Sequence, residues 1–229
     1  GIFDRPMAEW VLGMILGFAK RLPQTLEFQL LKEWNHRLSE TIEGKRALVV
    51  GVGSIGRAVG RLLQAAGMKV DGIGRSARDG GSDFDRIHAI GDLHARLPLA
   101  DYVVLITPLT PETRNLFGAA EFGAMAKHAR FINIGRGALV VEADLLQALD
   151  DGEIAGAALD VFVEEPLPAD SPFWSAPNCL VSPHMSGDYL EFEAAMADQF
   201  MANWTNYVAG DPLVNMVDKA LGFVASARD

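Results

Sequence analysis

Four short stretches of this 229-residue chain carry residue types at spacings that could do chemistry. Gly51-Val52-Gly53-Ser54-Ile55-Gly56 places three glycines at the spacing of a dinucleotide-binding fingerprint. The first permits a tight turn, the second lets a pyrophosphate approach the backbone, and the third lets a helix pack closely on a strand. A helix opening at Ser54 would offer free N–H groups and a positive dipole end to the anion. Arg136 stands between Gly135 and Gly137, where small neighbours leave room for a ligand and the guanidinium could hold a carboxylate bidentately. Asp160-Val161-Phe162-Val163-Glu164-Glu165-Pro166 and Ser182-Pro183-His184-Met185-Ser186-Gly187 add carboxylates and an imidazole. An Arg, a Glu and a His in one place make an acid/base set with a carboxylate anchor.

These residues can act together only if the elements before them end at one edge. Ala47–Val50 is an apolar run that reads as a buried strand. Ile55, Ala58, Val59, Leu62, Leu63 and Ala66 fall on one helical face, and Gly67 ends that helix. Further strands are predicted at about Lys69–Ile73, Arg86–Ile90, Tyr102–Ile106, Phe131–Ile134, Ile154–Leu159 and Cys179–Val181. Helices are predicted over 6–21, from Pro23 to about Glu33, over Glu142–Leu149, and over Tyr189–Val208; Ser76–Ser82 reads as a loop. Strands alternating with helices predict an α/β, Rossmann-like, doubly wound parallel sheet. Ligands of such sheets bind beyond the carboxyl ends of the strands, where Gly51, Arg136, Asp160 and His184 are all expected.

An NAD-preferring site usually has an acid at the end of the second strand to bond the ribose 2′-OH. Here that end reads Gly74-Arg75-Ser76, with Arg78 just beyond, and Asp71 lies earlier, within the strand. A carboxylate would repel a 2′-phosphate, whereas a guanidinium binds one through its planar fork. NADP is therefore expected over NAD.

The net charge of −10 and pI near 4.9 argue against a nucleic-acid or anionic-membrane surface. No segment reaches the ~20 apolar residues needed to span a bilayer. One cysteine, Cys179, excludes a disulfide framework, points to a reducing, cytoplasmic setting, and is read as core. His36, His88, His94 and His128 lack ligand spacing, so no metal is expected.

The stretches VVGVGSIGRAVGRLLQAAGMKV, TPLTPETRNLF, INIGRGALVVEADLLQAL, GAALDVFVEEPLP and SPHMSG together resemble the nucleotide-binding half of the D-isomer-specific 2-hydroxyacid dehydrogenases. The resemblance spans most of the chain. It implies Arg136, Glu165 (rather than Glu164) and His184 as the catalytic set. It further implies cofactor contacts from Gly51, Gly53, Ser54, Ile55, Gly56, Arg75, Ser76, Arg78, Thr107, Pro108, Thr113, Ile134, Gly135, Arg136, Asp160, His184, Ser186 and Gly187. Thr107 and Pro108 would line the nicotinamide side, and Asp160 would approach the nicotinamide ribose or amide. His184 would donate a proton to a carbonyl oxygen, Glu165 would support the charged ring and fix its tautomer, and Arg136 would clamp the substrate carboxylate.

The implied activity is reduction of a small 2-oxo acid, glyoxylate or hydroxypyruvate by analogy with NADPH-linked reductases of the family. Formate dehydrogenases, also similar, place Gln where Glu165 stands. A dinucleotide-sensing or corepressor-type binding module on the same fold is the rival reading, since such proteins can keep the same triad. Residues 1–33 are expected to be an inter-domain helix region, 34–187 the dinucleotide domain, and 188–229 a helix and tail returning to a substrate domain. That flavodoxin-like domain would precede Gly1, so the chain as given is expected to bind cofactor better than it catalyses. The family resemblance also implies a homodimer through the nucleotide domain. Leu167–Trp174, flanked by Pro166 and holding Pro168, Pro172, Phe173 and Trp174, could reach a partner or pack internally. Trp34 is expected to be structural.

Overall fold

The computed structural model describes residues 1–219 and 224. Its centre is β1 (Arg46–Val50), whose last four residues are buried. The turn Gly51–Gly53 leads into α3 (Ser54–Ala65), which buries Gly56, Ala58, Val59, Gly60 and Leu63 against the sheet. The remaining strands are β2 (Lys69–Gly74), β3 (Arg78–Asp79), β4 (Arg86–Ala89), β5 (Tyr102–Leu105), β6 (Arg130–Asn133), β7 (Gly156–Leu159) and β8 (Cys179–Val181). They lie in the order β3-β4-β2-β1-β5-β6-β7-β8. Every pairing is parallel except β3 with β4. Strand order reverses direction at β1, so a crevice opens between the ends of β1 and β5, where such sheets bind ligands.

Register makes that edge level. Ile73 pairs with Val50, Val50 with Leu105, Leu105 with Asn133, Asn133 with Leu159, and Leu159 with Val181. The chain therefore leaves these six strands within a residue or two of one row. Gly51, Thr107, Gly135, Asp160 and Ser182 follow from that row.

Both faces are covered, as strands apolar on both sides require. On one face α1 (Asp4–Ala19) and α3 pack Val11, Ile15, Val59 and Leu63 on Val49, Val104 and Ile132. On the other, α4 (Leu93–Arg96), α5 (Ala119–Ala124) and α6 (Glu142–Asp150) enclose Val50, Val103, Leu105 and the rings of Phe117, Phe122 and Phe131. Those three rings pack at centroid distances of 5.0 to 5.9 Å.

Several expectations need correction. The first helix ends at Ala19, not residue 21, and left-handed Arg21 separates it from α2 (Leu22–Leu31). Pro23 thus sits in the first turn of α2, where its missing N–H costs nothing. Residues 76–82 are not wholly loop, because β3 pairs Arg78 with Ile87 and Asp79 with Arg86. The final helix, α7 (Phe192–Ala209), starts later than expected. Trp34 is not structural here; it is 99% exposed and lies beyond the end of α2. Phe173 packs internally on Phe162, while Trp174 stays exposed with its indole N–H donated to the Pro168 carbonyl at 2.8 Å. Cys179 packs against the core, and burial pushes its thiol up to about 12. Among the described residues no helix is long and apolar enough to cross a membrane.

Candidate active site

The glycines after β1 divide by what surrounds them. Gly51 has φ of +115°, and a Cβ there would lie 2.7 Å from the Ile106 carbonyl. A Cβ on Gly56 would lie 1.9 Å from the Gly51 carbonyl oxygen, so the helix is flush with the turn. Gly53 has nothing within 4 Å. That open face lies at the N-terminus of α3, whose first-turn N–H groups, including those of Ser54 and Ile55, lack intrahelical acceptors. A pyrophosphate fits here on backbone geometry alone.

Across the crevice, the Thr107 hydroxyl is buried and has no hydrogen-bond partner within the protein. Such a group wants a ligand. Pro108 beside it is exposed. Thr113 donates its hydroxyl to the Pro108 carbonyl at 2.7 Å and accepts from the Thr110 N–H at 2.8 Å. Its oxygen thus closes the loop that presents Pro108. An orphaned hydroxyl, an open glycine and a free helix end together fit a dinucleotide.

At the outer side of the fingerprint, Arg75 is exposed at the end of β2, with Ser76 beside it. Arg78 on β3 lies back over this turn, its Nη1 3.4 Å from the Ser76 carbonyl oxygen. Asp71 sits within β2, its Oδ2 3.5 Å from His88 Nε2, away from the strand end. The place where an acid would meet a ribose 2′-OH therefore holds cations.

The turn after β6 is built by Asn133, a residue that sequence analysis does not single out. Its side-chain carbonyl accepts the Gly135 N–H at 3.0 Å, and its amide donates to the Arg136 carbonyl at 3.1 Å. Ile134 and Gly135 are buried, whereas Arg136 is exposed, with Nη1 donating to the Gly135 carbonyl at 2.6 Å. A Cβ on Gly137 would lie 1.9 Å from the Phe162 carbonyl carbon. Only glycine lets the Arg136 turn lie against the segment that carries Glu165.

Asp160, fully buried after β7, organises the next loop. It accepts from the Ser182 hydroxyl at 2.6 Å and from the Met185 and Ser186 N–H groups at 2.9 Å each. These bonds surround His184, whose backbone is left-handed at φ of +54°. Three acceptor contacts thus hold a conformation that costs a non-glycine residue energy. Gly187 lies against the Phe3 ring of the N-terminal segment.

His184 Nδ1 lies 2.7 Å from Glu165 Oε2, and Glu165 Oε1 accepts the Phe162 N–H at 2.8 Å. Glu164, the neighbour, is exposed. Burial pushes the Glu165 carboxyl up, but its bonds to His184 and Phe162 outweigh that and hold it below its ordinary 4.5. A carboxylate facing Nδ1 requires a proton there, so Nε2 is the nitrogen left for a substrate. A hollow of about 530 Å³ opens beside this loop, between Arg5, Trp10, Met185 and Tyr189. Glu142, also unremarked in the sequence, accepts the Val163 N–H at 2.8 Å and holds the same turn.

The structure thus brings Arg136, Glu165 and His184 to one edge with the glycine turn and Thr107. Among the described residues, no group of three or more His, Cys, Asp or Glu is placed to hold a metal ion.

Most of the chain is similar to known proteins. Residues 12–186 match the model of the D-isomer specific 2-hydroxyacid dehydrogenase NAD-binding domain. Glyoxylate/hydroxypyruvate reductase B of Citrobacter koseri is 35% identical over 223 residues, which cover 95% of this chain and 68% of that one. A solved D-isomer specific 2-hydroxyacid dehydrogenase family protein from Aeromonas salmonicida superposes with a TM-score of 0.88 at 38% identity, covering 95% of this chain and 69% of the other. The NADPH-dependent glyoxylate/hydroxypyruvate reductase of Sinorhizobium meliloti, solved with NADP and sulfate, superposes with a TM-score of 0.88 at 33% identity, covering 96% and 70%. The chain thus spans about two thirds of the length of these relatives.

Proposed function

The chain belongs to the D-isomer-specific 2-hydroxyacid dehydrogenase family, and from that premise we propose that it serves the NADPH-linked reduction of a small 2-oxo acid, with glyoxylate and hydroxypyruvate as the first substrates to test. The observation that carries this reading is the 2.7 Å Glu165–His184 pair on the same sheet edge as the dinucleotide turn. NADPH, when bound along this edge, would supply the hydride for the carbonyl carbon. His184 Nε2, protonated, donates to the carbonyl oxygen as negative charge develops there. Glu165 holds the Nδ1 proton in place and stabilises the imidazolium. Arg136 holds the substrate carboxylate and orients the ketone toward His184. Gly51, Gly53, Ser54, Ile55 and Gly56 cradle the pyrophosphate. Arg75 and Arg78, with Ser76, receive the 2′-phosphate.

The protein works in the cytoplasm as a homodimer, a reading supported by its single cysteine and by the apolar side chains that α2 leaves exposed. In the protein that carries this chain, mixing NADPH with glyoxylate or hydroxypyruvate should consume the reduced nicotinamide. His184→Asn should lower kcat by about a hundredfold or more, the ordinary loss on removing a general acid. Tight NADPH binding without turnover of any small 2-oxo acid would overturn the enzyme reading in favour of a dinucleotide-sensing module.

A further inference from the structure

The segment carrying Arg75 and Arg78 is fastened to α3 at a point that the proposed function does not use. Asp83 is buried, and its carboxylate bridges two guanidiniums of that helix: Oδ2 lies 2.9 Å from Arg57 Nη1, and Oδ1 lies 2.9 Å from Arg61 Nη1. Burial pushes the Asp83 carboxyl up, but its bonds to Arg57, Arg61 and Ser82 outweigh that and hold it below its ordinary 3.8. Backbone packing follows the same line. A Cβ on Gly60 would lie 2.2 Å from the Asp83 carbonyl oxygen, and one on Gly80 would lie 2.0 Å from that of Phe84. Asp79 Oδ1 accepts the Gly81 N–H at 2.7 Å, closing the turn between Arg78 and Asp83. β3 itself pairs with the sheet at Arg78–Ile87 and Asp79–Arg86.

We propose that Asp83 is a positioning residue for cofactor choice. It fixes the Arg75–Arg78 segment at the distance from the N-terminus of α3 that separates a 2′-phosphate from a pyrophosphate. Arg57 lies one turn into that helix, next to the pyrophosphate end, so one carboxylate joins the two anion-binding regions. The inference rests on the assignment of Arg75 and Arg78 to the 2′-phosphate.

The test is fluorescence titration of the full chain with NADPH and with NADH, in four forms: unchanged, Arg75→Ala, Asp83→Asn and Arg61→Gln. Arg61 is half exposed, so Arg61→Gln removes half of the bridge without opening the core. Asp83→Asn should weaken NADPH by about tenfold while moving NADH by less than about twofold. Arg61→Gln should move NADPH in the same direction by a smaller factor. The sign is diagnostic, because Asp83→Asn also adds a net positive charge beside the cofactor. Tighter NADPH binding would mean that Asp83 acts as a counter-charge, and the proposal fails. Equal weakening of both cofactors by both variants would mean a general structural role, and it fails again. If Asp83→Asn does not fold, the Arg61→Gln ratio decides. If Arg75→Ala leaves the NADPH preference intact, the underlying phosphate assignment falls instead, which is a separate result.

Discussion

At the scale of single residues, the site is a set of side chains each oriented by its neighbours. Glu165 is oriented by the Phe162 N–H, and His184 by a loop strung on Asp160. Glu165→Gln keeps the shape but loses the charge that supports an imidazolium, so kcat should fall by about tenfold to a hundredfold in steady-state assays. The pH dependence has a definite sign. The Glu165 carboxyl is held below 4.5, so the stabilisation its ionised form contributes is present above pH 4.5 and is lost as pH falls through the lower folded value. On the acid side, a pH–rate profile should therefore show no loss from protonation of Glu165 until below pH 4.5. Asn133 is the corresponding support for Arg136. Asn133→Leu removes both of its turn bonds, and KM for the 2-oxo acid should rise by about tenfold with NADPH affinity nearly unchanged. A parallel loss of NADPH affinity would show that the turn supports the cofactor as much as the substrate.

At the scale of elements, glycines in one turn separate into two kinds. Gly53 has φ of −70° and open space around it, so Gly53→Ala should leave thermal stability within about 0.5 kcal/mol while weakening the dinucleotide. Gly56 has no such room, and Gly56→Ala should cost about 1–3 kcal/mol of stability as the helix is pushed off the turn. Thermal melts with and without NADPH distinguish the two. This division also explains what could be read from residues alone. The fingerprint strand and helix were legible because Ala47–Val50 is uniformly apolar and α3 repeats its apolar face every three to four residues. The sheet edge was legible because short apolar strands are followed within two residues by glycine, proline or a polar residue. β3 was not, since two residues cannot display a period. α5 was not either, because Ala119–Ala124 is a single short turn fixed by Glu121 and Asp144 bonding the Gly118 and Ala119 N–H groups. Asp83 lay in a polar, glycine-rich stretch where nothing local announces two partners on a helix more than twenty residues earlier. Trp34 is exposed although its residue type suggests burial, which only the packing shows.

At the scale of the whole molecule, the described chain buries two cores against its sheet and still leaves large apolar side chains uncovered along α2 and the segment after it. Leu26, Leu30, Leu31, Trp34 and Leu38 are 58 to 99% exposed, and α2 buries no residue at all. These exposed apolar side chains are the surface on which the proposed homodimer would form. The strip is far from the Glu165–His184 pair in the chain but is anchored to the sheet, because Glu40 accepts from Arg130 at 3.0 Å and pairs with Lys45 at 3.0 Å. Those partners hold the Glu40 carboxyl below its ordinary 4.5. The segment 32–43 is thus pinned at its far end while its tip stays uncovered, the form expected of an arm that packs on a second copy. Leu30→Glu with Trp34→Glu should convert a dimer to a monomer in light scattering after size exclusion. NADPH affinity should change by less than about twofold, since neither residue lies at the strand ends. A dimer that survives both substitutions would place the interface elsewhere. Loss of cofactor binding together with the dimer would mean that the arm supports the dinucleotide site from across the interface.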